Sequence, residues 1–233
     1  MTKTKDGKIR LSPSALNVFL ECQRCFWLEY RKGLSRPRGP FPSLPGGMDI
    51  LIKKYFDKYR AVGKLPPELH GQVTGELLAD VEVLKKWRSW RSGLSYYDKQ
   101  SDAILVGALD DCLVDKGMYI PIDYKTRGFD VTDGGENFYR NQLNCYCFLL
   151  EANQFPQPNF AYLIYYIPKE IGDQSMVKFA TTLKKVETKA EDALKVFKAA
   201  VAVLQGPMPV SHSECHFCLW GSDFVGATPS SEA

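Results

Sequence analysis

No hydrophobic run in this sequence of 233 residues is long enough to cross a bilayer, so no membrane association is expected. The N-terminus is polar and lacks the hydrophobic stretch of a secretory signal peptide. We therefore expect a cytoplasmic protein, in which disulfide bonds are uncommon. No internal repeat is visible, and neither charge sign dominates, since the formal net charge is +3. This small net charge is compatible with nucleic-acid binding but does not indicate it.

The composition is that of an ordinary globular protein, with 45% hydrophobic and 24% charged residues. The length suits one domain with appendages. We predict a flexible N-terminus over residues 1–10, a single domain over 11–224, and a disordered tail of small and polar residues over 225–233. Periodicity predicts helices over residues 14–32, 49–62, 77–92, 137–153 and 189–204, and further strands over 94–99, 159–167 and 176–186.

The segment of residues 106–126 carries the strongest signal. Hydrophobic residues alternate along two predicted strands joined by a turn at residues 116–117, with Asp110 on the first strand and Asp123 on the second. Because side chains alternate with a period of two, Lys125 shares the face of Asp123. Two carboxylates and an ammonium group at one sheet edge can hold a hard divalent cation, which is the equipment for hydrolysing a phosphodiester.

An isolated Asp-x-Lys pattern is also typical of a salt bridge on a solvated sheet face. Two features favour the ligand role. Gly107 precedes Asp110 by three residues, and glycine in a strand often marks a close backbone approach. Asp123 follows the apolar run of residues 119–122, where an unpaired carboxylate would be costly.

The predicted helix over residues 137–153 follows these strands. Gln142 and Tyr146 are four residues apart and therefore share one helix face, where they could orient a phosphate or a metal-bound water. The alternative is an amphipathic helix with an ordinary polar glutamine. The apolar stripe of this helix consists of Leu143, Tyr146, Cys147 and Leu150.

Four of the seven cysteines form two C-x-x-C pairs, Cys22 with Cys25 and Cys215 with Cys218. This spacing lets two thiolates reach one centre, so the two pairs would join the chain ends around a metal. Zinc and iron–sulfur clusters both use four thiolates, and the spacing does not choose between them. The other three cysteines are expected to be small buried hydrophobic residues: Cys112, Cys145 and Cys147.

Basic residues fall in three clusters, and tryptophans interleave the third. Such clusters could bind DNA and stack its bases, or they could be solvated helix faces with the tryptophans in the core. Their members are Arg24, Arg31, Lys32, Arg36 and Arg38; then Lys53, Lys54, Lys58 and Arg60; then Lys85, Lys86, Arg88 and Arg91, with Trp87 and Trp90.

The order of these motifs resembles the PD-(D/E)XK nuclease superfamily, in particular its RecB-like branch. The residues that carry the resemblance are Gly107-x-x-Asp110, Asp123-x-Lys125 and Gln142-x-x-x-Tyr146. Residues 11–16 (Leu-Ser-Pro-Ser-Ala-Leu) and 22–26 (Cys-Gln-Arg-Cys-Phe) look like the N-terminal signature of that branch. Within it, the chain is most similar to the cysteine-cluster nucleases that include CRISPR-associated RecB-like exonucleases.

The resemblance implies a restriction-endonuclease-like α/β core, with a mixed sheet flanked by helices and the chain ends joined at the four-cysteine centre. Residues 11–224 would be a RecB-like nuclease domain. Its expected activity is that of a metal-dependent deoxyribonuclease that acts as an exonuclease in DNA repair, recombination or CRISPR adaptation, with DNA and protein partners. The implied ligands of Mg²⁺ or Mn²⁺ are Asp110, Asp123, the backbone carbonyl of Tyr124 and Asp49; Asp110, Asp123, Lys125, Gln142 and Tyr146 form the implied catalytic set.

The sequence departs from the branch in two places. RecB-like nucleases usually carry a histidine after a glycine at the start of a helix, whereas this chain has Asp49, which could bind the metal or cap the helix. They also commonly have one cysteine near the N-terminus and three near the C-terminus, whereas here the division is two and two. The resemblance favours a [4Fe–4S] cluster, with Zn²⁺ as the alternative. His212 and His216 flank the second cysteine pair and could substitute as ligands, but we expect them to be exposed neighbours.

These departures leave other functions open. A nuclease fold without turnover would be a DNA-binding or scaffold module, and the missing histidine motivates that alternative. A protein-interaction domain held by zinc, in which the acidic residues are only structural, is a third. The Asp-x-Lys pair favours the nuclease.

Overall fold

The computed structural model describes residues 7–37, 39 and 43–227. The chain divides into two compact units. The terminal unit comprises Met1–Gly39, Tyr97–Leu105 and Lys195–Ala233, and the sheet unit comprises Pro40–Tyr96 and Val106–Leu194. None of the helices in the described ranges has the length and apolar character that a membrane span requires.

The predicted ends of the chain fall partly outside the described residues, namely residues 1–6 and 228–233. Within the described part, a strand begins at Ile9 and the last helix runs to Ala227. The predicted boundaries of a single domain over 11–224 stay a prediction. In chain order the strands and helices are β1 (Ile9–Leu11), α1 (Pro13–Glu21), α2 (Gln23–Trp27), α3 (Ser43–Ala61), β2 (Glu76–Leu77), α4 (Val81–Trp87), β3 (Leu94–Asp98), β4 (Ala103–Gly107), β5 (Asp111–Asp115), β6 (Met118–Thr126), α5 (Arg140–Ala152), β7 (Phe160–Ile171), β8 (Val177–Glu187), α6 (Ala190–Gln205) and α7 (His216–Ala227).

In the terminal unit, β1 runs parallel to β4, with Leu11 opposite Leu105. Ser12 then begins α1, because its hydroxyl accepts a hydrogen bond from the backbone N of Ala15 at 3.3 Å. The predicted helix over residues 14–32 is interrupted at Cys22, whose extended backbone ends α1 and whose Sγ caps α2 by accepting from Cys25 N at 3.5 Å. The interruption turns both sulfur atoms of this C-x-x-C pair to one side.

The sheet unit is built on five strands in the order β2-β5-β6-β7-β8. The β6–β7 pair is parallel, and the other three pairs are antiparallel. The turn predicted between β5 and β6 is present, with Lys116 and Gly117 both at positive φ. β7 has strand neighbours on both sides and is buried from Ala161 to Ile167, which explains its nearly continuous apolar sequence.

Helices α3 and α5 lie on opposite faces of β6. Phe56 of α3 contacts Tyr124 with ring centroids 4.8 Å apart, and both belong to the core that covers this face. Residue 123 points the other way, towards Gln142 of α5. The alternation along β6 therefore divides its side chains between an apolar core on one face and the predicted catalytic residues on the other.

Three element predictions were wrong. Leu77 pairs with Leu113 in the sheet, so the helix predicted from residue 77 begins only at Val81, where the carboxylate of Asp80 caps it. Helix α3 begins at Ser43 and not at Asp49. The third error concerns Asp110, which precedes β5 and does not lie on a strand.

Candidate functional site

The predicted Asp-x-Lys pair lies on β6 with its charged groups in contact. Lys125 Nζ is 2.6 Å from Asp123 Oδ2, in agreement with the two-residue period. The Asp123 side chain is only 1% exposed, whereas that of Lys125 is 18% exposed. The pair is therefore not a salt bridge on a solvated face, which was the alternative for this pattern.

Asp110 approaches this pair through the backbone of β6. Its Oδ2 accepts a hydrogen bond from the backbone N of Tyr124 at 3.0 Å. The chain leaves strand geometry before Asp110 because its backbone groups bond to the end of α4. Leu109 N donates to the carbonyl of Trp87 at 3.0 Å. Arg88 Nε donates to the carbonyl of Asp110 at 2.7 Å, which fixes the bend that carries the carboxylate.

Helix α5 adds the predicted glutamine and tyrosine. Gln142 Nε2 donates to Asp123 Oδ1 at 3.0 Å and to the Tyr146 hydroxyl at 2.6 Å. Lys125 Nζ donates to Gln142 Oε1 at 3.2 Å. The amide of Gln142 thus joins the carboxylate, the ammonium group and the phenol in one hydrogen-bonded group.

Gly107 allows α5 to lie close to the sheet, as its position before Asp110 suggested. A Cβ atom at this residue would lie 2.6 Å from Cδ1 of the buried Leu149 and 3.4 Å from the ring of Tyr146. A side chain at residue 107 would force the buried Leu149 side chain to shift and would crowd the Tyr146 ring. The distance between Gln142 and Asp123 therefore depends on a glycine outside the site.

Asp49 lies in the second turn of α3, and so it does not cap the helix. Its Oδ2 is 2.8 Å from Lys53 Nζ, and the same ammonium group is 2.8 Å from Asp110 Oδ1. Burial lowers the pKa of Lys53, but the charges and hydrogen bonds of Asp110 and Asp49 outweigh it and raise this pKa. Sequence reasoning placed Lys53 only in a basic cluster; its four-residue spacing from Asp49 was the available signal.

Burial is also the main electrostatic influence on Asp123. The pKa of this carboxyl group is raised to about 7, because burial, followed by the charge of Asp110, outweighs the opposite influence of Lys125 and Lys53. At neutral pH the group is therefore close to its midpoint. Burial likewise raises the pKa of the Tyr146 hydroxyl, which keeps this group protonated.

A second buried ionic network lies behind Asp110. Asp111 is fully buried and accepts hydrogen bonds from Arg60 at 2.6 and 2.7 Å, from Arg88 at 2.9 Å and from the Tyr124 hydroxyl at 2.7 Å. The Asp111 carboxylate is thus bound by these arginines and Tyr124 and is not available to the site. Arg60 and Arg88 belong to the basic clusters, but they bind carboxylates here. Asp57 also contacts both arginines.

Replacement of Arg60 by methionine is expected to lower the free energy of unfolding by about 3–5 kcal/mol, because it leaves Asp111 charged and buried with fewer partners. The matched control is Lys178→Met, which breaks the exposed pair with Glu170 and is expected to cost less than about 1 kcal/mol. Urea denaturation of the three proteins measures both values. Equal losses for the two variants would contradict a stabilising role of the network.

The site residues fit a divalent cation that prefers oxygen ligands. Asp123 Oδ2 is buried and accepts no hydrogen bond of normal geometry from the described residues, although Lys125 lies close to it. The Lys53 ammonium group already occupies a cation position between Asp49 and Asp110. Within the described ranges, however, no three carboxylates converge on one point, so the structure does not bring Asp49 together with both other aspartates.

The four cysteines of the two C-x-x-C pairs do converge, and all four belong to the terminal unit. Their sulfur atoms lie within 4.8 Å of one another. Cys25 Sγ is 3.6 Å from Cys215 Sγ, and Cys22 Sγ is 3.7 Å from Cys218 Sγ. This group of thiols could hold a metal, and it links the N-terminal and C-terminal segments.

The environments of these thiols differ. Burial raises the pKa of Cys25 to about 12. Burial also acts to raise the pKa of Cys215, but hydrogen bonds from Cys218 and the other cysteines lower it to about 7. The Cys215 thiol therefore loses its proton readily to a bound metal, whereas Cys25 would need the metal to displace its proton. The other three cysteines, Cys112, Cys145 and Cys147, are buried outside the cluster, as expected.

A family model of the PD-(D/E)XK nuclease superfamily matches residues 10–222. No curated protein matches the sequence significantly. The chain belongs to the PD-(D/E)XK nuclease superfamily. The predicted fold class is confirmed: the fold is mixed α/β, with two mixed sheets flanked by helices and four clustered cysteines that link the terminal segments. Members of this superfamily are typically metal-dependent nucleases.

Proposed function

We propose that this protein is a divalent-metal-dependent deoxyribonuclease of the RecB-like branch and cuts DNA as an exonuclease. The observation that carries the proposal is the hydrogen-bonded group that Asp123 and Lys125 of the buried central strand β6 form with Gln142 of α5, with Asp110 beside it. A purely structural ion pair would not require a glutamine that contacts both charges. The arrangement suits a phosphodiester held against a cation and an ammonium group.

In the proposed mechanism, Asp110, Asp123 and the Tyr124 carbonyl would hold Mg²⁺ or Mn²⁺, and Asp49 would be a further ligand. When bound, such an ion lowers the pKa of a water molecule and polarises the scissile phosphate. Asp49 would offer an oxygen only if Lys53 moved aside and the three aspartates, which do not converge within the described residues, came together.

Lys125 supplies a fixed positive charge where the phosphate gains negative charge, a role that suits an ammonium group. Gln142 orients Lys125 and Asp123 relative to each other. Tyr146 accepts a hydrogen bond from Gln142, which leaves its own proton for a substrate or water oxygen.

We further propose that the four cysteines hold a [4Fe–4S] cluster, with Zn²⁺ as the alternative. Its role would be structural, because it joins segments from both ends of the chain. We place the protein in the cytoplasm, in DNA repair, recombination or CRISPR adaptation, with protein partners of those processes.

The test is cleavage of end-labelled DNA by anaerobically purified protein with Mg²⁺, Mn²⁺ or a chelator, beside Asp123→Asn. We expect cutting that needs the metal and is lost in the variant, because the amide cannot replace the carboxylate as a charged ligand. Resistance of circular DNA would identify an exonuclease. Absence of cutting by folded, metal-loaded protein that still binds DNA would favour the alternative of an inactive DNA-binding module.

A further inference from the structure

A continuous series of aromatic rings leads away from Lys125 in the sheet unit. Arg127 lies over the ring of Phe129 at 4.5 Å and over that of Tyr165 at 5.8 Å. The ring of Tyr165 is 6.3 Å from that of Tyr139, which in turn is 5.1 Å from that of Phe138. We name this set the aromatic band: Arg127, Phe129, Phe138, Tyr139 and Tyr165.

The band has exposed ends and a buried centre. Phe129 is 66% exposed and Phe138 is 71% exposed, whereas Tyr165 is completely buried. One exposed aromatic residue needs no explanation. Two exposed phenylalanines at the ends of one connected series offer flat apolar faces to a ligand.

The band is joined directly to the proposed catalytic group. Lys125 Nζ lies 4.4 Å from the centroid of the Tyr139 ring, and Tyr165 is the register partner of Lys125 in the β6–β7 pair. A strand cut beside Lys125 would therefore reach the band with its neighbouring nucleotides. Phe129 and Phe138 therefore differ from isolated surface rings, because they belong to a series that reaches Lys125.

Two polar groups lie close to each other beside the band, since the charge of Glu136 acts on the Tyr165 hydroxyl. The hydroxyl of Tyr165 and Oε2 of Glu136 are buried, and neither has a hydrogen-bond partner within the described part of the chain. One group can donate and the other can accept, but both atoms are covered, so the surface that meets a base consists of the exposed rings of Phe129 and Phe138.

The charge of the surrounding surface is suited to a nucleic-acid backbone. Arg127 contributes a guanidinium group that is stacked on the ring of Phe129. Arg140 donates hydrogen bonds to two uncharged acceptors, the side-chain oxygen of Asn137 and the backbone carbonyl of Glu187. The Arg140 hydrogen bonds therefore leave its positive charge uncancelled. Lys169 is paired with Asp130, so it contributes less.

We infer that the aromatic band binds unpaired bases of single-stranded DNA next to the cleavage site, with Phe129 and Phe138 as stacking surfaces. The inference rests on the proposed nuclease function for the position of the cut. Stacking requires faces that a duplex keeps inside its own stack, so the band would select strands that are single at this point. Its contribution would be largely independent of base sequence, because every base has an aromatic face.

The test measures binding without cleavage, by fluorescence anisotropy in the presence of a chelator. The probes are labelled oligothymidylate, the same strand in a duplex, and an abasic strand of equal length. Phe129→Ala and Phe138→Ala are each expected to weaken single-strand binding about 10-fold and duplex binding by less than about 2-fold. Neither variant should weaken binding of the abasic strand, because that strand has no bases to stack.

The matched control is Trp90→Ala, which removes a ring that is 67% exposed and has Arg91 over it at 4.9 Å, in the segment after α4. It is expected to bind all three probes as the wild type does. The salt dependence of single-strand binding should be unchanged in the phenylalanine variants, since phosphate contacts remain. Wild-type affinity of both phenylalanine variants, or equal losses for strand and duplex, would overturn the inference. Failure of the nuclease proposal would appear separately, as absence of cutting by a protein that still binds the strand.

Discussion

Replacement of Lys125 by alanine is expected to slow metal-dependent DNA cleavage by about 10²–10³-fold while the protein stays folded. The ammonium group contacts Asp123 and Gln142 and stands over the Tyr139 ring, so it is held in one position before substrate arrives. Loss of a pre-positioned charge removes stabilisation from the transition state, and the remaining residues cannot replace it. Single-turnover cleavage of end-labelled DNA at saturating metal measures the effect.

Lys53 offers the matched control for this experiment. It is also a partly buried lysine between carboxylates, but it contacts Asp49 and Asp110 and not Asp123. Lys53→Ala is expected to retain most of the cleavage rate and to bind Mn²⁺ at least as tightly as the wild type, because the ammonium group no longer competes with the metal. Equal loss of cleavage in the two variants would contradict the specific role of Lys125.

The pH dependence provides a further check on Lys125→Ala. A metal ligand must be deprotonated, and Asp123 has a raised pKa of about 7. Metal affinity should therefore rise with pH through neutrality and level off above it. Because Lys125 lowers this pKa, its removal should move the rise to higher pH. Cleavage that recovers fully at high pH would mean that Lys125 acts only through metal binding.

Replacement of Cys215 by alanine is expected to abolish metal binding at the four-cysteine centre and to destabilise the protein by about 5 kcal/mol. The magnitude follows from treating the bound metal as a cross-link, since Cys25 and Cys215 are 190 positions apart and closing so long a loop restricts the unfolded chain. Metal analysis and urea denaturation of anaerobically purified protein measure the two effects. Visible absorption would distinguish an iron–sulfur cluster from zinc.

Cys145→Ala is the control for this prediction. Cys145 is buried in α5, outside the cluster, so its replacement should leave the metal content unchanged and add only a small cavity. If Cys215→Ala kept both its metal and its stability, the sulfur atoms would have only a packing role. The four cysteines belong to the terminal unit, whereas the proposed catalytic residues belong to the sheet unit.

The sequence predicted those parts of the site that local periodicity determines. Asp123 and Lys125 share a face because they are two residues apart on a strand, and Gln142 and Tyr146 share one because they are four apart on a helix. The C-x-x-C spacing likewise identified both halves of the cysteine cluster.

Long-range contacts determine the parts that the sequence did not predict. The bend at Asp110 results from hydrogen bonds with the end of α4, and a pattern of alternating residues cannot reveal such partners. Arg60, Arg88 and Lys53 look like solvent-facing or DNA-binding cations until the fold brings carboxylates to them. The sequence did not predict the aromatic band either, because Phe129, Phe138 and Tyr165 are connected through contacts with Arg127 and Tyr139 that the fold creates.

The two contacts of Tyr124 determine which mutations the site can tolerate at this residue. Its side chain holds Asp111, but the contact with Asp110 comes from its backbone amide. Every amino acid except proline keeps that amide, and proline is disfavoured in a central strand for the same reason. A substitution at residue 124 can therefore remove the hydrogen bond to Asp111, but any residue other than proline retains the amide that binds the Asp110 carboxylate.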